Sequence, residues 1–114
     1  MSATPEFDDV LQRLAALISS RRSASTGQSY TKELLDAGSE RCARKLGEEA
    51  IETIIAALGD DKRALTREAA DLLYHLLVLL ESRQVTLNEV LAELQARMGL
   101  SGLAEKAARR GSSP

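Results

Sequence analysis

Five carboxylates are the side chains in this sequence best spaced to do chemistry. Glu48, Glu49 and Glu52 fall in the run Glu48-Glu49-Ala50-Ile51-Glu52, and Glu68 and Asp71 in the run Glu68-Ala69-Ala70-Asp71. On a helix, residues three or four apart share a side, with Cβ atoms about 5–6 Å apart. Each run therefore presents acids as a pair. Gly59-Asp60-Asp61, between the runs, reads as a tight turn. A hairpin folded about it sets Glu52 level with Ala69 and Glu49 level with Leu72. Packed helices lie about 8–10 Å apart, so the acids converge on one small volume.

Such convergence is costly. Two unit charges about 6 Å apart repel by roughly 3 kcal/mol at an effective dielectric of about 20. A small domain is stable by only about 5–15 kcal/mol in total. Arg41, Lys45 and Arg67 can offset part of the repulsion. A hard divalent cation offsets it better. All-oxygen ligands select Mg2+, Mn2+ or Ca2+ over zinc, and the chain has no calcium-loop pattern. Mg2+ takes few carboxylates, keeps waters and bridges to phosphates. The spacing thus points to Mg2+ and a phosphate-bearing substrate.

A plainer reading competes for the first run. Leu46, Ala50, Ile51, Ile54, Ile55 and Leu58 share one arc of their helix, with Glu48, Glu49 and Glu52 opposite. Taken alone, that is an amphipathic helix with a solvated acidic face. The second run differs. Glu68, Asp71 and His75 share an arc that continues into Leu72 and Leu79, so these acids stand at the mouth of a buried seam. Ionised carboxylates seldom sit there without a partner.

The elements that carry these residues read as helices. Ala, Leu, Glu and Arg dominate, and strand-forming alternation is sparse. A first helix is expected from Pro5 to Arg22, with Thr4 as its N-cap, and a polar loop over Ser23–Gln28. A short helix runs from Ser29 to Ala37 and stops at Gly38. Ser39 caps a third helix that reaches Leu58, and a fourth spans Lys62 to Arg83. The fifth opens at the capping box Thr86-Leu87-Asn88-Glu89 and ends before Gly99. The fold class is all-α, a helical bundle built around an antiparallel hairpin. The domain covers residues 1–110, and 111–114 form a flexible tail. The stretch Leu72–Leu80 is apolar nearly all round and needs cover on every side, for which a homodimer is the expected source.

Composition narrows the function. At 114 residues the chain is too short for a separate cofactor domain. A net charge of −2 gives no basic field for nucleic acid or membrane. One cysteine, Cys42, and one histidine, His75, exclude disulfide frameworks and multi-histidine metal sites within a chain. No apolar run is long enough to span a bilayer, and the acidic start lacks a signal pattern. A cytoplasmic setting is the expectation.

Glu-Glu-x-x-Glu followed by Glu-x-x-Asp on a hairpin resembles the all-α nucleoside-triphosphate pyrophosphohydrolases, the MazG-like superfamily. Ser29-Tyr30-Thr31, Gly38, the run Lys45 to Glu52, the run Glu68 to His75, Glu93-Leu94 and Arg97 together resemble the phosphoribosyl-ATP pyrophosphatase family of histidine biosynthesis. The likeness covers about residues 6–110. It implies Mg2+-dependent hydrolysis of phosphoribosyl-ATP to phosphoribosyl-AMP and pyrophosphate by a cytoplasmic homodimer without a fused cyclohydrolase. It maps Glu48, Glu49, Glu52, Glu68 and Asp71 onto the family's metal-binding acids. Glu48 or Glu49 is the expected acceptor of the attacking water's proton. Ser39, Glu40 and Cys42 depart from the family pattern, outside the acid core.

Substrate contacts are expected from Lys45, Ser29, Tyr30, Thr31 and Arg97. Lys45 also suits a surface pair with Glu49, and Ser29 a helix cap. His75 is read as a hydrogen-bonding residue beside the acids and not a ligand, Tyr74 as packing, and Cys42 as an inert buried thiol. Gly47 inside a helix suggests close packing against a neighbour. Lys106, Arg109 and Arg110 make a basic end, a solvated tail or a phosphate contact for a second subunit. Two alternatives stay open: a house-cleaning pyrophosphatase for dUTP- or dCTP-like nucleotides, and a helical dimerisation module without activity.

Overall fold

The computed structural model describes residues 7, 9–24 and 29–99, which form helices and connections without a strand. α1 spans Val10–Ser20 and tightens into a 3-10 turn over Arg21–Ser23. Thr4 and Pro5, expected at its start, lie outside the described residues. The helix begins later than Pro5 because Asp9 takes a left-handed conformation (φ 57°), one that Asp tolerates better than most residues. The Asp9 carboxylate pairs with Arg13 at 3.2 Å.

The next helices start and stop where the sequence indicates. Ser29 accepts from the Lys32 amide at 3.2 Å and opens α2, Tyr30–Ala37. Gly38 closes α2 with φ 102°, a value that favours glycine. α3 follows at once, Ser39–Ala57. Ser39 is its first residue and not its cap; its hydroxyl lies 3.0 Å from that of Ser82. Asp61 accepts from the Arg63 and Ala64 amides at 3.0 and 3.1 Å and opens α4, Lys62–Ser82. The capping box of Thr86 and Glu89 is formed and opens α5, Leu87–Met98. Each cap satisfies amides that a first helical turn leaves unpaired. The basic end at Lys106, Arg109 and Arg110 and the tail 111–114 lie outside the described residues. No helix among the described residues is long and apolar enough to cross a membrane.

α4 is the central element. It packs most extensively on α3, across the short turn Leu58–Asp61, and also meets α1 and α2. Ile18, Leu34, Cys42, Leu77 and Val78 form the buried core, one or two from each of these four helices. Cys42 is the buried thiol expected: its S–H donates to the Leu34 carbonyl at 3.3 Å, and burial pushes its pKa up. The Thr53 hydroxyl on α3 lies 2.8 Å from its own helix's Glu49 carbonyl and 3.2 Å from the Glu68 carbonyl of α4. It ties the two acid-bearing helices at the level of the acids.

α3 is turned opposite to the amphipathic expectation. Glu49 is 8% exposed, whereas Ile51, Ile54, Ile55 and Leu58 are 59 to 84% exposed. Glu49 faces α4 and the isoleucine side faces outward. The demand for outside cover therefore falls on α3. Most of Leu72–Leu80 on α4 is covered within the chain, Leu73 excepted. Gly47 has no neighbour within 4 Å of where a Cβ would stand, so no contact within the chain explains it. It lies four and seven residues before Ile51 and Ile54, in the same outward stripe.

Thr53→Val removes the bond between helices and keeps the side-chain shape. The urea midpoint should fall by an amount equivalent to about 0.5–1.5 kcal/mol, with an unchanged slope.

Candidate metal centre

Carboxylate oxygens of Glu49, Glu68 and Asp71 all lie within 4.8 Å of one another. α3 supplies Glu49, and one turn of α4 supplies Glu68 and Asp71. The hairpin sets these helices side by side, so the acids meet at the level the spacing indicated. Glu49 Oε1 and Glu68 Oε1 are both shielded from solvent and lack a hydrogen-bond partner. Among the described residues, no ion pair reaches any of the three acids; Arg41 and Arg67 make none there. Glu52 adjoins the group through its influence on Glu68. Burial pushes the Glu68 pKa up, and the neighbouring carboxylates of Glu52, Glu49 and Asp71 push it the same way.

Such an arrangement is unfavourable as it stands. A buried carboxylate oxygen without a donor forfeits its hydration and gains nothing in return. A small divalent cation is the one ligand that answers both orphaned oxygens and the crowded charge. The donor set is all oxygen, which suits Mg2+, Mn2+ or Ca2+ and not zinc. The residues present therefore fit a hard cation.

Glu48 stands apart from this group. Its side chain is 51% exposed and pairs with Lys45 Nζ at 3.2 Å. Lys45 is thus engaged by Glu48 and not by Glu49. Its pKa is raised, first by the Glu48 hydrogen bond, then by the fields of Tyr30, Glu48 and Glu49.

Of the three α2 candidates, Ser29 is the helix cap. Thr31 is buried, and its hydroxyl is hydrogen-bonded to that of Tyr74. Tyr30 alone stays substantially open to solvent, 47% exposed, with its hydroxyl 3.4 Å from His75 Nε2. His75 is buried, with Nδ1 2.9 Å from the Asp71 carbonyl. Arg97, on α5, pairs with Glu93 at 3.1 Å. Thr53 escaped the sequence reading, and its one signal there was its place four residues after Glu49. A cavity of about 230 Å³ lies elsewhere, between α1, α4 and the start of α5; its one carboxylate, Glu81, pairs with Arg22 at 2.6 Å.

Residues 11–98, which hold all five acids, match the family described as phosphoribosyl-ATP pyrophosphohydrolase. The chain belongs to this family. A phosphoribosyl-ATP pyrophosphatase of Cereibacter sphaeroides (strain ATCC 17025 / ATH 2.4.3) is 56% identical over 100 residues, covering 88% of this chain and 97% of that protein. One from Dinoroseobacter shibae is also 56% identical, covering 88% and 98%. One from Agrobacterium fabrum is 52% identical, covering 87% and 92%. Family membership agrees with the likeness that the acid runs carry.

Within this family member, the strain on Glu68 has a measurable sign. Folding raises its pKa above 4.5, so the folded chain holds the proton more tightly than the unfolded chain. In metal-free protein, this group's stabilising effect is fully present below the unfolded value and is lost as pH rises through the raised value. Glu68→Gln should flatten the fall of Tm with rising pH in chelator and raise Tm at pH about 7. It should also weaken Mg2+ binding in calorimetry. An unchanged pH profile would show the carboxyl to be well solvated.

Proposed function

We propose that this chain cleaves phosphoribosyl-ATP between its α and β phosphates, releasing phosphoribosyl-AMP and pyrophosphate, in histidine biosynthesis. The observation that carries the reading is the trio Glu49, Glu68 and Asp71, with two orphaned oxygens, in a chain of this family. The trio would hold Mg2+, with Glu52 adding charge beside Glu68. When bound, Mg2+ neutralises triphosphate oxygens and favours in-line attack by water.

The chain's own residues divide the remaining work. The Lys45 ammonium draws the phosphates toward the acids. Glu48, outside the trio and paired with Lys45, is the base that takes the water's proton. Tyr30 borders the substrate, while Ser29 and Thr31 hold α2 in place. Arg97 is engaged with Glu93 within the chain, and its phosphate contact belongs to this proposal only through a second copy. The protein's contribution is mainly positioning and charge stabilisation.

A homodimer is part of the proposal. Its support is the outward stripe of Gly47, Ile51, Ile54, Ile55 and Leu58. An apolar face of this kind marks an interaction surface, and the open Gly47 lets another helix approach closely. A cytoplasmic location is included too, on the strength of the relatives' biosynthetic role.

Pyrophosphate release should be measured with phosphoribosyl-ATP and a panel of ordinary triphosphates, with and without Mg2+. Release should need Mg2+ and strongly favour phosphoribosyl-ATP, and Asp71→Ala should lower kcat by about 100-fold or more. Equal turnover of dUTP or dCTP would make this a house-cleaning enzyme, and no turnover of anything would leave a scaffold. For the assembly, sedimentation velocity should show a dimer that Ile54→Asp converts to monomers.

A further inference from the structure

His75 is the chain's one histidine, is 7% exposed, and has no part in the hydrolysis outlined above. Its surroundings fix both ring nitrogens. Nδ1 lies 2.9 Å from the Asp71 carbonyl oxygen, one turn earlier on α4. A carbonyl only accepts, so Nδ1 carries the proton and Nε2 of the neutral ring is an acceptor. Nε2 faces the Tyr30 hydroxyl at 3.4 Å, which makes Tyr30 the donor. The ring is also wedged edge-on between two aromatics. Its centroid lies 4.9 Å from that of Tyr74 at 87° and 6.1 Å from that of Tyr30 at 76°. Tyr74 is itself held through Thr31.

Tyr30 is held with equal definition yet stays open. Its ring stacks on Tyr74, with centroids 6.5 Å apart and planes 20° apart, and remains 47% exposed. The contacts therefore make one line from the Asp71 carbonyl through His75 to Tyr30. That line joins α4 to α2. Both ends belong to residues that the proposed reaction uses, and the middle is unassigned.

We propose that His75 is a positioning residue for the hydrolysis: it accepts the hydrogen bond of the Tyr30 hydroxyl and presents the Tyr30 ring and oxygen to the nucleoside part of the substrate. The inference rests on the reading of the chain as a phosphoribosyl-ATP hydrolase. An oxygen whose proton is committed can only accept. It suits a ribose hydroxyl or a base amine and disfavours a phosphate oxygen, which also only accepts. The open tyrosine face is a stacking surface for a purine. Tyr30 thus separates the nucleoside end of the substrate from the phosphate end, which Lys45 and the acids draw.

The test is steady-state pyrophosphate release from phosphoribosyl-ATP by wild type, Tyr30→Phe, His75→Asn, His75→Gln and the Tyr30→Phe/His75→Asn double variant. Mg2+ binding by calorimetry and thermal melting accompany each. Tyr30→Phe and His75→Asn should each raise KM roughly threefold to tenfold, with kcat changed by less than about twofold. The double variant should be no worse than either single one, because both remove the same bond. Gln places an amide oxygen near the Nε2 position and should recover part of the loss. Mg2+ affinity should stay level throughout. A wild-type KM in Tyr30→Phe, or additive effects in the double variant, overturns the pairing. A loss of Mg2+ affinity in His75→Asn with KM unmoved overturns it too, and leaves His75 as a prop for Asp71. Tyr30→Phe removes one half-open hydroxyl and keeps the ring, so it decides even where a His75 variant melts early. A wild-type chain inactive on phosphoribosyl-ATP defeats the functional reading and this inference together. An active wild type with kinetically identical variants defeats this inference alone.

Discussion

Mutual repulsion among carboxylates on two packed helices governs this structure. Glu49 from α3 meets Glu68 and Asp71 from α4, and two of their oxygens face no donor. Helices that carried only this cluster would separate. They stay together because the hairpin turn is short, Thr53 bridges to the Glu68 carbonyl, and the core below is apolar. The fold thus holds like charges in place against their repulsion. The same confinement makes the site attractive to a hard cation, since its ligands need not be gathered when the ion arrives. The energy that destabilises the empty site is regained on binding.

The orientation of α3 follows from that constraint. With Glu49 committed inward, the isoleucines on the opposite arc have nowhere to go but outward. One helix therefore presents an unpartnered carboxylate oxygen on one side and exposed apolar side chains on the other. α4 has the complementary character: its middle is wrapped by its own chain, and it lends the site Glu68, Asp71 and the His75 anchor. Division of labour between the two helices lets a small domain combine a polar site with an exposed apolar face.

Much of this was legible in the sequence, and the parts that were not share a cause. Spacing within a helix and the Gly59-Asp60-Asp61 turn were enough to bring the acid runs level, because both are local. The caps at Ser29 and Thr86 and the stop at Gly38 are likewise local chemistry. The facing of α3 was not legible. An arc of Ile51, Ile54, Ile55 and Leu58 opposite acids looks the same whether its own core or another chain covers it. The delayed start of α1 depends on the left-handed Asp9, which no periodic pattern records. The joining of Tyr30 to His75 needs α2 to lie across α4, and the two residues are 45 positions apart. Local rules reached each element and the convergence of the acids; they did not reach contacts made by a third helix.

Gly38 carries a consequence of its own. It is the single residue between one helix and the next, so α2 and α3 meet at a joint with no slack. An added residue there would turn one helix by about 100° and advance it about 1.5 Å against the other. Tyr30 would swing off His75 while the carboxylates stayed where they are. Length variation during divergence should therefore be purged at this joint and tolerated elsewhere, which makes it a reading-frame mark for aligning distant members of the family.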